Sequence, residues 1–181
     1  MRLIRKANEP SLLQDYRRQN NATYEDMDTL VKEELRKSLV AEQFGICAYY
    51  QRKLTDIKIE HHCERSICTG ENGFPDRRLD YRNLLAVCQG RNGQPIELHC
   101  DTKKADVNKN NTRLLPMKLN PLIPAHIATI RYTPTGTISS TNDVYKKELN
   151  IILNLNADFL RKLRRKKWTS IFRKSLKGIK R

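Results

Sequence analysis

Residues 46–105 hold all five cysteines and three of the four histidines of this 181-residue chain, and that crowding constrains the fold more than any other feature. The segment cannot be one helix or one long strand. Gly, Asn, Asp and Pro residues interrupt it between two short strand-like runs, Lys58–His62 and Leu84–Cys88. Hydrophobic residues make up only 38% of the chain, enough for a modest core in one domain with helical extensions. Five cysteines is an odd number, and the start MRLIRKANEP has no apolar stretch behind its charges as a secretory leader would. The cysteines are therefore expected to be metal ligands or buried thiols in a cytoplasmic protein, not a disulfide framework. No run approaches the roughly 20 apolar residues of a membrane-spanning helix, so no membrane partner is expected.

Charge narrows the class of partner. The chain carries 35 Lys and Arg against 20 Asp and Glu, a net +15, which asks for a polyanion. Eleven of the basic residues lie between Arg161 and Arg181, where there is no acidic residue, leaving 24 basic against 20 acidic for residues 1–160. Most of the excess is thus a C-terminal feature, residues 161–181, where Leu160, Leu163, Trp168, Ile171, Phe172, Leu176 and Ile179 form an imperfect apolar stripe opposite the charges. The pattern suits a nucleic-acid arm, a helix docked on a partner or a membrane-surface helix. A helix that docks by its stripe and holds a nucleic-acid backbone with Arg164, Arg165, Lys166 and Lys167 is the economical choice.

Around the dense segment, residues 1–45 read as a polar arm with a turn or two of helix near Leu12 and Leu13, then a helix at about 23–43. Thr23 with Asp26 resembles a capping box, Met27, Leu30, Val31, Leu35 and Leu39 recur at helical spacing, and Gly45 can end it. Residues 113–160 read as an irregular Pro-containing stretch at Leu114–Ile123, a hairpin of Ile127–Tyr132 with Thr137–Ser140, and a second long helix capped by Asn142-Asp143. Val144, Ile151, Ile152, Leu155, Phe159 and Leu163 supply its apolar face. His126, after Pro124, reads as structural.

Three phrases carry the chemistry: Cys47-Ala48-Tyr49-Tyr50, Ile59-Glu60-His61-His62, and Asn83-Leu84-Leu85-Ala86-Val87-Cys88 leading to His99-Cys100-Asp101-Thr102-Lys103-Lys104. Together they resemble an HNH nuclease. With YRRQNNATYED, AEQFGICAYY, RLDYRNLLAVCQG and the late LNLN run, residues 5–165 are similar to the PtuB family, the HNH endonucleases of Septu and retron anti-phage systems. The resemblance implies an α+β fold. Its core would be a ββα-metal nuclease at residues 46–112, in which a first strand carries Glu60 and His61, a loop reaches Asn83, a second strand runs through Cys88 and a helix opens near Cys100. Asn83 would tie the loop down so that the histidine stays aimed. The implied partners are DNA, an ABC-type ATPase (PtuA) and, in the retron branch, a reverse transcriptase with its RNA–DNA product (msDNA).

The chemistry of those residues is coherent on its own terms. A phosphodiester repels hydroxide, so its hydrolysis near neutral pH needs a base for water and a hard cation for the developing charge. His61 is the expected base, with His62 ranked second because the adjacent pair leaves the register open. Glu60 and Asp101 are the expected oxygen ligands of one Mg²⁺ or Mn²⁺. Asp101 stands where the HNH pattern often has His or Asn. Lys103 and Lys104, beside Asp101, are read as phosphate contacts. Cys47, Cys88 and Cys100 suggest a structural Zn²⁺, yet Tyr50 stands where a C-x-x-C knuckle would have its second cysteine, and four-coordinate zinc needs a fourth ligand. Cys63, Cys68, His62 and His99 are the candidates. Otherwise the three thiols pack as small apolar groups, and Cys63 and Cys68 read as free thiols. The rival reading of the whole is a non-catalytic adaptor for nucleic acid or a partner, stapled by a degenerate knuckle.

Overall fold

The computed structural model describes residues 1–71, 73–92, 97–110 and 116–178, without the side chains of residues 92, 110 and 171–178. The expected stretch Leu114–Ile123 is described only from Pro116, and the apolar stripe beyond Ser170 lies outside the described side chains. The architecture is mixed α+β, and the described residues form helices around three small two-stranded antiparallel sheets. Among the described residues no helix is long and apolar enough to cross a membrane.

The N-terminal arm is part of the core. Met1 and Ile4 are buried, and the Ile4 amide donates to Pro121 O at 2.9 Å. Helix α1 (Ser11–Arg17) buries Leu13 and Tyr16. Helix α2 (Thr29–Glu42) turns Val31, Leu35 and Leu39 inward at the spacing seen in the sequence. It starts later than the expected residue 23. Thr23 Oγ1 does accept from the Asp26 amide at 3.1 Å, but that bond closes a separate turn, and the cap is Asp28, whose carboxylate accepts from the Val31 amide at 2.9 Å. The helix gives way to Phe44 and Gly45, both with positive φ (57° and 69°).

Strands β1 (Lys58–His61) and β2 (Leu84–Val87) pair antiparallel, with Glu60 opposite Leu85 and His61 opposite Leu84. All four residues of β2 are buried. On the edge of β2 away from β1, the Gln43 side chain imitates a neighbouring strand: its Nε2 donates to Ala86 O at 2.7 Å and its Oε1 accepts from the Ala86 amide at 2.8 Å. A buried backbone pair is thereby satisfied without a third strand. A short hairpin, β3 (Arg91–Asn92) with β4 (Glu97–Leu98), follows and leads into helix α3 (Cys100–Asn110).

The expected hairpin forms between β5 (Ile130–Tyr132) and β6 (Ile138–Ser140), although Ile127 belongs to a preceding turn of helix, α4 (Pro124–Ile127), with His126. The expected second long helix is interrupted. Asn142 caps α5 (Asp143–Lys147) as read, but a π-helical turn at Glu148–Ile152 and Asn154 at φ 45° separate it from α6 (Asp158–Gly178). The Glu148 carboxylate accepts from the amides of Lys118 and Leu119 at 2.8 and 2.7 Å. The break lets Leu149, Leu153, Leu155 and Leu160 all reach the core, which one straight helix would not allow.

Residue 161 is consequently no boundary. Helix α6 begins at Asp158 with Leu160 fully buried, and Gly136 in the β5–β6 turn lies against its first turns. Gly136 has φ 86°, and a Cβ there would sit 2.2 Å from Arg161 O. Gly136→Ala is therefore expected to cost about 2–3 kcal/mol, from positive φ and overpacking together, read as a lower urea midpoint with unchanged slope.

Candidate active site and thiol cluster

Antiparallel pairing of β1 with β2 sets Glu60 and His61 at one end of the small sheet, and α3 lays Asp101 and Lys104 beside them. The result is an open cleft of about 830 Å³ whose lining includes Glu60, His61, Glu64 and Asp101 together with Lys58, Arg65, Arg78 and Lys109. Glu60 is buried; its Oε1 takes the Lys104 ammonium and accepts from Tyr49 Oη at 3.2 Å. Asp101 Oδ2 pairs with Lys58 Nζ at 2.5 Å. Burial pushes the Glu60 carboxyl well above the usual carboxylate range against the pull of Lys104, and the neighbouring Asp101 carboxyl adds to the push. Burial also raises Asp101, but its hydrogen bond with Glu60 and the charge of Lys58 outweigh that and hold it below its ordinary value. Two carboxyls in contact are a site where a cation relieves repulsion.

His61 is buried, and burial lowers its pKa to about 4, so the ring is neutral near pH 7. Its Nε2 lies 2.9 Å from Arg78 O. A carbonyl only accepts, so Nε2 carries the proton and Nδ1 the lone pair. Tyr24 packs edge-on against the ring at 4.4 Å. His62 does not line the cleft. It is buried with Nε2 3.0 Å from Leu119 O, which removes it as second-ranked base.

The loop that supplies Arg78 O is fastened from below by Asn83. Its Nδ2 donates to Cys63 O at 2.9 Å and Arg77 O at 3.0 Å, and its Oδ1 accepts from the Cys63 amide at 2.8 Å. Asn83 thus joins both ends of the loop, one residue from the carbonyl that orients His61. Cys63 and Cys68 form a disulfide within the same loop, correcting both their reading as free thiols and their candidacy as zinc ligands. The Ile67 and Cys68 amides both donate to Glu64 O, and this turn brings the two Cα atoms to 6.0 Å.

The sulfurs of Cys47, Cys88 and Cys100 all lie within 4.8 Å of one another, close enough to hold a metal ion together. Cys47 and Cys100 are fully buried, and their sulfurs are 4.0 Å apart. Of the other candidate ligands, His99 sits at the cluster, with Nδ1 3.1 Å from Cys100 Sγ and its ring edge-on to Tyr50.

Two residues read as phosphate contacts serve the fold instead. Lys104 is 1% exposed. Arg164 donates to Gly136 O at 2.6 Å and Leu155 O at 2.5 Å, pinning α6 to the hairpin turn. Lys103 pairs with Asp106 at 2.7 Å at the surface, and Arg165, Lys166 and Lys167 are exposed on α6. The residue that sequence reasoning missed is Glu64. It lines the cleft, and its Oε2 is buried without a hydrogen-bond partner among the described residues. Its position four residues after Glu60 was the available clue.

Asn83→Ala deletes three buried hydrogen bonds and is expected to cost about 2–4 kcal/mol. The loop between residues 63 and 83 should at the same time become a preferred site of limited proteolysis. Comparison with models of known protein families and with curated proteins finds no match to this chain.

Proposed function

We propose that this chain is a metal-dependent endonuclease of the HNH type that hydrolyses DNA phosphodiester bonds. One observation carries the reading: Glu60, His61 and Asp101 line a single cleft in which the neutral His61 is held by Nε2 and keeps Nδ1 for a proton. In this role His61 Nδ1 takes the proton of the attacking water, and Arg78 O keeps the ring in the tautomer that can do so. Glu60 and Asp101 would hold one Mg²⁺ or Mn²⁺, which neutralises charge on the phosphorus oxygens and the leaving group. The donor set fits such an ion: magnesium is held by one or two carboxylates plus water and substrate phosphate, and the unpartnered Glu64 oxygen offers a further acceptor. Lys58, Arg65, Arg78 and Lys109 line the cleft and in this reading would meet flanking phosphates, Lys58, Arg65 and Arg78 in exchange for their present carboxylate partners.

The order β1, loop, β2, α3 is consistent with the ββα-metal arrangement implied by the resemblance to the PtuB family. That resemblance also supports an effector role in anti-phage defence beside an ABC-type ATPase, with a retron reverse transcriptase and its msDNA as a further partner, in the cytoplasm. Cys47, Cys88 and Cys100 would hold Zn²⁺ as a staple between the 47–52 turn, the end of β2 and the start of α3. The adaptor reading keeps one observation in its favour, Tyr50 in the place of a fourth cysteine.

A supercoiled-plasmid nicking assay with Mg²⁺ or Mn²⁺ and the ATPase present separates the two readings. Wild type is expected to nick, and His61→Ala to be slower by about 10²-fold or more, as loss of a general base requires. Equal rates would remove His61 from the reaction, and nicking by neither would leave the adaptor.

A further inference from the structure

Lys104 is the most deeply enclosed charged side chain near the cleft, and neither the proposed reaction nor any phosphate contact uses it. It projects from α3 four residues after Cys100, on the helix face that looks into the molecule. An ammonium has three protons. Here they go to Glu60 Oε1, to His61 O at 2.8 Å and to His62 O at 3.0 Å, while Glu64 Oε1 lies 3.3 Å away. One side chain therefore grips the carboxylate proposed to bind metal and the backbone carbonyls of the proposed base and of the residue after it. Arg78 O and Asn83 secure His61 from the loop, and Lys104 secures it from the helix.

Resting on the nuclease reading above, we propose that Lys104 is a positioning residue with a second consequence. Its buried ammonium aims Glu60 and the end of β1 and also counter-charges Glu60 and Glu64, so that the cleft binds its divalent cation more weakly than its carboxylates alone would. Three carboxylates, Glu60, Glu64 and Asp101, face two lysines, Lys58 and Lys104. Without Lys104 the cluster loses the positive charge that competes with a cation for Glu60 and Glu64, which strengthens cation binding, and loses the bonds that orient His61.

The two effects have opposite signs, and a purely structural lysine would not separate them. The experiment measures Mn²⁺ affinity by calorimetry on the full chain without DNA, nicking rate, and thermal unfolding, for wild type, Lys104→Met and Lys104→Arg at fixed pH and salt. Lys104→Met is expected to bind Mn²⁺ about tenfold more tightly while nicking about 10²-fold more slowly. Lys104→Arg keeps the charge and is expected to hold Mn²⁺ within threefold of wild type while nicking at least tenfold more slowly, because a planar guanidinium cannot reproduce the three-way grip. Mn²⁺ affinity and rate falling together in Lys104→Met, or wild-type nicking in either variant, overturns the proposal. If Lys104→Met does not fold, Lys104→Arg decides: a shift in Mn²⁺ affinity beyond threefold, or an unchanged rate, overturns it. Failure of the nuclease reading itself shows in wild type, as neither Mn²⁺ binding nor nicking.

Discussion

The bond between the Lys104 ammonium and Glu60, two groups with almost no access to water, fixes how α3 meets the β1–β2 pair. Burial opposes both charges. Each keeps its place because the other is there, with Glu64 and two backbone carbonyls completing the ammonium's bonds. Removing one partner of such a pair costs about 3–5 kcal/mol by orphaning the other. The orientation of α3 then follows, and with it the approach of Asp101 to the cleft on one side and of Cys100 to Cys47 and Cys88 on the other. The carboxylate cleft and the thiol cluster are two ends of one rigid unit, since Cys100 and Asp101 are adjacent residues at the start of that helix.

Charge is distributed on two scales. Inside the cleft, acidic and basic groups come close to balance, so in the proposed reading a polyanion would gain little there until a divalent cation joined the carboxylates. In the proposed reading the long basic helix α6 would supply the general attraction, which positions a backbone without selecting sequence. Its first turns belong to the core, through Leu160 and Arg164. Among the described side chains of α6, Arg165, Lys166 and Lys167 are exposed and would meet a distant phosphate.

Much of this was legible in the sequence where the clue was periodicity or a local turn. Leu84–Cys88 read as a strand because an aliphatic run was bounded by turn residues, and Lys58–His62 as a second short piece across the Gly, Asn, Asp and Pro-containing loop; they pair within a residue of the expected ends. The Val31, Leu35 and Leu39 face of α2 and the Asn142 cap were equally plain, whereas Leu30, read on that face, is 71% exposed and Met27 precedes the helix. Other features depend on what lies opposite in space. A lysine reads as solvated whether its ammonium meets water or a buried carboxylate, so Lys104 and Arg164 were assigned to phosphate. The i, i+4 spacing of Lys104 from Cys100 was the only hint that it faces inward. The break between α5 and α6 arises from Glu148 holding the Lys118 and Leu119 amides, a contact across 29 residues that helical spacing does not record. The Cys63–Cys68 pair was missed because an odd cysteine count was weighed for the chain as a whole, when a five-residue turn settles that pair alone.

The central claim is that Glu60 and Asp101 hold a divalent cation next to His61. Anomalous diffraction at the manganese edge, from crystals of the protein soaked in Mn²⁺, tests it most directly. The expected result is one manganese peak in the cleft, within about 2.0–2.4 Å of a carboxylate oxygen of Glu60 and one of Asp101. A cleft without manganese at saturating concentration, or a peak bound only at surface carboxylates elsewhere, would contradict the account.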